Sequence, residues 1–437
     1  MIVNNRQKGK TAIIAKYLLV FLCVSLLGLM LNVAAFLLPD NRIHEHVMGA
    51  AETFRQEGTF PRLIQGYDGS IPDNNTDAWM LLLADYHGNE NPLNKALMAY
   101  YSVYTNEHTN FYGIDSIVCA DKNDVVEART YTRYWHGWIF PLRFALIFFT
   151  YSDIRMLLQV IQMLLTMLAI IGLYKNKLYS SLIPFGVALL FLMPSTISQS
   201  IDYSCVYLIM LAAIAYLCWV SDTIEKIGYD VFFLILGMLT SYNDFLTAPL
   251  ITLGLPLIVL LDLRRSKTTL NAQITMVMKC TILWGVGYFG MWAMKWLFAF
   301  LLADYSIADA VDRARFRTSN SFNEQVITYI DALVQNLRVI KKRPYVLLIV
   351  FGMINAILPW KTEKKISKHS CTILLGVPYL IIGLYPFIWW YALRNHSYLH
   401  WHFTYRNISV FVFAFLEHLG YIISTYKSQK QLDPAEL

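Results

Sequence analysis

Residues 17–38 run without one charged side chain, and residues 202–220 and 280–303 are interrupted only by Asp202 and Lys295. A helix needs about 20 predominantly apolar residues to cross the hydrocarbon core. Inside lipid, only helices and closed barrels satisfy their own backbone hydrogen bonds. Runs of this length therefore predict membrane helices. Composition agrees, with 56% hydrophobic and 15% charged residues, where soluble domains carry about 25% charge. An ordinary soluble enzyme, a nucleic-acid binder and a disordered scaffold are excluded. The net charge of +6 needs no polyanionic partner, because the lysines gather in short loops of the kind that stay in the cytoplasm.

The pattern predicts ten spans, at about 17–38, 154–173, 180–196, 202–220, 229–243, 246–262, 276–302, 344–360, 371–391 and 407–425. The first is longer than the roughly 7–15 residue core of a signal peptide and is expected to stay attached, entering from the cytoplasm. Ten spans put both termini inside. The short inner loops then hold Lys175 and Lys177, Lys226, Arg264, Arg265 and Lys267, and the lysines at 361–368, with Lys427 and Lys430 in the tail. Residues 138–150 are too short to cross and contain Pro141 and Arg143, so they read as an interfacial or re-entrant helix. The stripe Val326, Ile330, Leu333, Leu337 and Ile340, ending at Lys341, Lys342 and Arg343, reads as a helix lying on the outer leaflet. The expectation is one all-α polytopic membrane domain over 1–437. Its large outer loop at 39–153 carries interfacial helices, a second outer loop covers 303–343, and a short one covers 392–406.

Six cysteines without a CxxC pair indicate neither a zinc site nor a disulfide framework. Chemistry is sought in the ionisable groups near the outer helix ends. IPDNNTDAWML sets Asp73 and Asp77 at the start of an apolar helix. The pattern suits an N-cap, and it equally suits a general base, since a neutral sugar hydroxyl needs a positioned carboxylate or imidazole to take its proton. Both hold together if Asp73 caps and Asp77 faces a cavity. In YTRYWHGW, an aromatic belt accounts for Trp135 but not for Arg133 and His136 beside it. TSYNDFLTAP places Tyr242, Asn243 and Asp244 between two apolar helices, as a terminal turn or as the lining of a polar cavity. Asp202 reads as a helix cap. Lys295 either snorkels to the interface or meets a lipid phosphate from within the bundle. Asp312, Arg313, Arg315 and Arg317 read as a solvated helix face.

The densest signal is the segment WWYALRNHSYLHWHFTYRN, with Arg394, His396, His400, His402 and Arg406 among aromatics. His396 and His400 have metal-ligand spacing on a helix, but no acidic third ligand or HExxH pattern accompanies them, so no metal and no cofactor are assigned. Arginine and neutral histidine suit a phosphate oxyanion.

A long outer loop directly after the first span, an Asp within it and cations at outer helix ends resemble the C-type (GT-C) glycosyltransferase superfamily. DNNTD at 73–77, YTRYWHG at 131–137, TSYNDFLTAP at 240–249 and NHSYLHWHFTYR at 395–406 also look like motifs of bacterial multispanning proteins associated with cell-envelope polysaccharides. Many such enzymes carry an acidic pair right after the first span, where this chain has only Asp40. The resemblance implies inverting transfer of a sugar from a polyprenyl-phosphate donor to a glycan or envelope-polymer acceptor outside a bacterial cytoplasmic membrane. It implies a base among Asp77, Asp73 and Asp40, taken in that order. Lys295, Arg394, His396, His400 and Arg406 would cradle the donor phosphate, and Arg133, Trp135, His136, Tyr242 and Asp244 would line the substrate site. Two rival readings stand beside it. A polysaccharide polymerase of the O-antigen type usually places its main outer loops late in the chain. A transporter calls for ionisable pairs at the membrane midplane, for which only Glu417 and His418 qualify.

Overall fold

The computed structural model describes residues 2–105, 113–118, 125–322, 325–357 and 376–430. The lysines at 361–368, Cys119 and the start of the ninth expected span lie outside the described residues. The chain is dominated by helices. The first, α1 (Ile2–Ala35), leads into α2 (Asn41–Glu57), α3 (Asn74–Ala84), α4 (Pro92–Met98), α5 (Gly113–Val118) and α6 (Ile139–Leu146), and then α7 (Tyr151–Lys175). A hairpin that the all-α expectation did not contain, β1 (Tyr100–Thr105) with β2 (Val125–Thr130), pairs antiparallel with Tyr100 opposite Thr130. Next come α8 (Leu182–Phe191), α9 (Pro194–Ile197), α10 (Ile201–Trp219), α11 (Ser221–Ile227), α12 (Tyr229–Asn243), α13 (Leu250–Arg264) and α14 (Leu270–Ala303). The last third holds α15 (Ile307–Thr318), the two-residue strands β3 (Ser321–Phe322) and β4 (Gln325–Val326), α16 (Tyr329–Ile340) and α17 (Arg343–Ile357). It closes with α18 (Val377–Gly383), α19 (Tyr385–Ala392), α20 (Arg394–Leu399), α21 (Trp401–Thr404) and α22 (Ile408–Lys430).

Among the described residues, five stretches are long and apolar enough to cross a membrane: Thr11–Ala35, Tyr151–Lys175, Ile201–Trp219, Leu270–Ala303 and Trp401–Tyr426. The other expected spans correspond to shorter helices, among them Tyr179–Phe191, Arg343–Ile357 and Val377–Ala392. Exposure separates outer from inner helices. On α1, α7 and α14 many exposed residues are large and apolar, including Leu18, Leu19, Met156, Met163, Ile282 and Phe289. In water such faces would aggregate, so they are compatible with an integral membrane protein. By contrast α13 is buried from Leu250 to Asp262 and forms the centre of the core.

Close packing follows from small residues at contacts. A Cβ on Gly237 of α12 would lie 2.1 Å from the Trp284 carbonyl oxygen, and one on Gly287 of α14 would lie 2.2 Å from that of Leu234. The two backbones therefore touch, as small residues allow in membrane helix pairs.

The segment between α1 and α7 is pinned to the bundle by buried arginines. Arg143 of α6 donates to the carbonyl of Ala35 at 2.9 Å and to that of Ala84, at the C-terminal ends of α1 and α3. Terminal helix carbonyls lack intrahelical donors, so this one guanidinium satisfies two helix ends at once. Arg155 of α7 grips Glu57 at the end of α2 in a bidentate pair at 2.8 and 3.0 Å and also donates to Gln199 O at 2.9 Å.

Candidate functional site

Asp73 and Asp77 begin the same helix but do different work. Asp73 is the N-cap of α3, accepting from Thr76 N and Thr76 Oγ1, each at 2.9 Å. Asp77, one turn on, is wholly buried against the start of α10. One of its oxygens accepts from Tyr151 OH at 2.8 Å and Ile201 N at 2.9 Å, the other from Ser200 Oγ and Asp202 N, both at 3.1 Å. A carboxylate at a helix N-terminus satisfies unpaired N–H groups and meets the positive end of the dipole. Burial pushes Asp77 up to about 6, while the N–H donors of Ile201 and Asp202 pull it down. Asp77 therefore joins α3 to α7 and α10 rather than facing a cavity.

The segment 394–407 folds as α20, α21 and one 3-10 turn. Arg317, from the last turn of α15, donates to His396 Nδ1 at 2.8 Å and to His400 Nε2 at 2.7 Å. Two imidazoles accepting from one guanidinium must both be neutral, and burial together with Arg317 lowers both histidines well below their ordinary range. His396 then donates from Nε2 to Leu246 O at 2.8 Å. Leu246 holds a left-handed backbone, φ 68°, to present that carbonyl. Phe403 stacks on His400, and His402 lies beyond it. His402 Nε2 comes 3.9 Å from Asp73 Oδ2.

Arg406 closes the same region. It donates to Leu192 O, His402 O and Gly69 O, each at 3.1 Å, and its guanidinium lies 4.2 Å over the ring of Tyr203. It ties the loop before Asp73 to the histidine segment. Asp202, expected as a cap, leaves that task to Ser200 and Asp77. Its carboxylate is within electrostatic reach of Asp73, Asp77, Asp244 and Arg406. Asp202 Oδ1, Tyr203 OH, His402 Nε2 and Arg317 Nε are sealed from solvent without a hydrogen-bond partner among the described residues. Each such group costs about 1–3 kcal/mol, so four in one neighbourhood mark a place prepared for a polar ligand or water. Asp244 lies behind them, accepting from Thr247 N and Oγ1 and from Tyr288 OH at 2.9, 2.7 and 2.9 Å; burial raises it.

Other expected site residues lie elsewhere. Lys295 is fully buried and donates to Ala96 O at 2.9 Å and Leu97 O at 2.7 Å, against the negative end of α4. It neither snorkels nor meets the histidine segment. Trp135 donates to Met291 O at 2.5 Å and packs on Tyr242, whose hydroxyl bonds Asn32 Oδ1 at 2.6 Å. Both are packing residues between α1, α12 and α14. His136 Nε2 bonds Tyr131 O at 2.7 Å, and burial with Lys295 nearby lowers it to about 3, so it stays neutral. Arg133 pairs with Asp309 at 3.4 Å over the Tyr131 ring, and Arg394 packs on Tyr391. Asp40 is half exposed, 3.8 Å from His87.

Sequence reasoning missed Arg317 and undervalued Asp202. Nothing in the RARFR run separates Arg317 from exposed Arg313 and Arg315; only packing of α15 on α20 does. Arg155 had a readable signal, a charge within an apolar span.

No protein-family model, curated protein or solved structure matches the chain.

Proposed function

We propose that this is an inverting glycosyltransferase of GT-C type that moves a sugar from a polyprenyl-phosphate donor to an extracytoplasmic glycan or envelope polymer. The observation that carries the reading is a row of side chains from distant parts of the chain. It runs from Asp73, through His402 at 3.9 Å and the adjacent His400, to Arg317 at 2.7 Å from His400. A carboxylate at one end and a guanidinium at the other is the division that inverting transfer requires. Asp73 takes the proton from the acceptor hydroxyl as its oxygen bonds to the anomeric carbon. The bond from that carbon to the phosphate oxygen breaks, and the electron pair leaves with polyprenyl phosphate. Arg317 and His402 meet the developing charge with donors already in place. Asp202 supports the sugar, while Arg406 and Asp77 position the segments that carry these groups. The base is assigned to Asp73 in place of Asp77 because each Asp73 oxygen accepts a single bond, from Thr76, and Oδ2 faces His402, whereas the two oxygens of Asp77 accept four bonds from helix N–H groups and hydroxyls.

In this reading the chain crosses the bacterial cytoplasmic membrane ten times, the five short helical regions completing the bundle beside the five long helices. Both termini are cytoplasmic and the row opens outward, with the donor's apolar chain held between helices. Sugar transfer from labelled polyprenyl-phosphate sugars in membranes tests the assignment. Asp73→Asn is expected to abolish transfer while the protein inserts normally, and full activity in that variant removes the base.

A further inference from the structure

A second ionisable group lies at the other end of α3. The helix stops at Ala84, and Asp85 follows as its C-cap, wholly buried. His44, in the first turn of α2, sets Nδ1 2.9 Å from Asp85 Oδ2, and His87 sets Nδ1 3.6 Å from Asp85 Oδ1. Asp85 Oδ1 has no hydrogen-bond partner among the described residues and no contact with solvent. Left like that, a buried carboxylate oxygen is costly. One nitrogen or oxygen from each of His44, Asp85 and His87 falls within 4.8 Å of the others. The two imidazoles are half exposed and border a cleft of about 600 Å³, which Asp40, Ser102 and Tyr104 also line.

We propose that His44, Asp85 and His87 bind a divalent transition-metal cation of the zinc class. Two imidazole nitrogens and one carboxylate oxygen are ligands that zinc prefers, whereas magnesium and calcium call for oxygen shells. Tetrahedral ligands at zinc distances sit roughly 3.3–3.5 Å apart; here His44 and His87 approach different oxygens of Asp85, at 2.9 and 3.6 Å, and one atom from each of the three residues falls within 4.8 Å of the others. Small rotations of two half-exposed rings bring the set to coordination distance, and the cleft leaves the fourth position to water. Asp40 Oδ2 stands 3.8 Å from His87 Nε2, the nitrogen that would not touch the metal. It is placed as the outer carboxylate that orients a ligating histidine. The residues belong to α2, to the end of α3 and to the turn after it, so the cation would fasten two helices of the segment that also carries Asp73. The site is independent of the sugar-transfer reading and contributes no group to it.

Chelator-stripped full-length protein in detergent is titrated with Co²⁺, followed by visible absorption, then challenged with Zn²⁺, and its unfolding temperature is read with and without Zn²⁺. The wild type is expected to bind one equivalent and to be stabilised. Asp40→Asn weakens binding by about 10-fold, the lower end of the losses seen on removing outer partners, and His44→Ala and His87→Ala, which remove ligands, each weaken it by more than that. His400→Gln and His402→Gln, in the other histidine group, leave binding unchanged. The metal-free unfolding temperature of each variant verifies that it is folded. Absence of both the absorption band and the thermal shift in the wild type overturns the site. So does binding that survives in both His44→Ala and His87→Ala, or binding lost in His402→Gln.

Discussion

Two polar regions of this molecule look alike in sequence and differ in structure. In the seam around Trp135, Tyr242 and Lys295, these three side chains are matched, Lys295 to two carbonyls, Trp135 to a third and Tyr242 to Asn32, while the neutral neighbours His136 Nδ1, Ser241 Oγ and Trp292 Nε1 lack partners among the described residues. In the region of Asp73, Asp202, His402 and Arg317, polar atoms of comparable burial lack partners. Both contain cations and aromatics near helix ends, so density of such residues marks neither one as a site. What separates them is the satisfaction of ionisable groups: Lys295 is bonded to two carbonyls, whereas Asp202 Oδ1 and Arg317 Nε lack partners among the described residues. A buried polar group that is fully bonded stabilises the fold, and one left open is retained at a cost of about 1–3 kcal/mol for something it meets later.

The contrast is breakable at both regions. The largest effect is expected at the base: Asp73→Asn lowers transfer by about 10²–10⁴-fold, measured in membranes with equal amounts of inserted protein. Asp77→Ala is expected to act on the fold, leaving the first N–H groups of α10 with Tyr151 and Ser200 unmatched. A loss of about 3 kcal/mol follows, read as a lowered unfolding temperature in detergent. Asp77 also gives a pH signature. Its folded-state value is raised from 3.8 to about 6, so the stability it contributes is full below 3.8 and is lost as pH rises through about 6. Two units correspond to about 3 kcal/mol. Unfolding followed from pH 4 to 7 should show this decline in the wild type and a flatter curve in Asp77→Asn. The smallest effect belongs to the seam. A Cβ on Gly137 would sit 2.0 Å from the Tyr242 ring, so Gly137→Ala should lower stability by about 1–3 kcal/mol with unchanged transfer per folded molecule.

Much of the fold was legible because hydropathy acts along the chain. The long apolar runs became long helices, and the outer loop expected to carry helices holds α2 to α6. Capping was legible too, since Asp73 binds an N–H only three residues away. What failed depended on partners far along the chain. Asp77 reads as a candidate base until α10, more than a hundred residues later, brings its N-terminus to it. Arg317 has the local pattern of a surface arginine, and its role exists only because α20 packs on α15. Lys295 reads from sequence as a snorkelling residue or a partner for a lipid phosphate; the carbonyls at the end of α4, invisible in the local pattern, take its donors instead. The hairpin β1–β2 escaped because its residues sit inside a loop with no apolar alternation long enough to stand out.

In the proposed reading the region of Asp73, Asp202, His402 and Arg317, and not the seam around Lys295, receives the lipid-linked phosphate. A photoreactive polyprenyl-phosphate probe applied to proteoliposomes decides between them. Labelling is predicted to fall on peptides around 69–77, 317 and 394–407, to drop sharply in Arg317→Gln and to persist in Lys295→Met. Labelling that survives in Arg317→Gln and disappears in Lys295→Met would contradict the account.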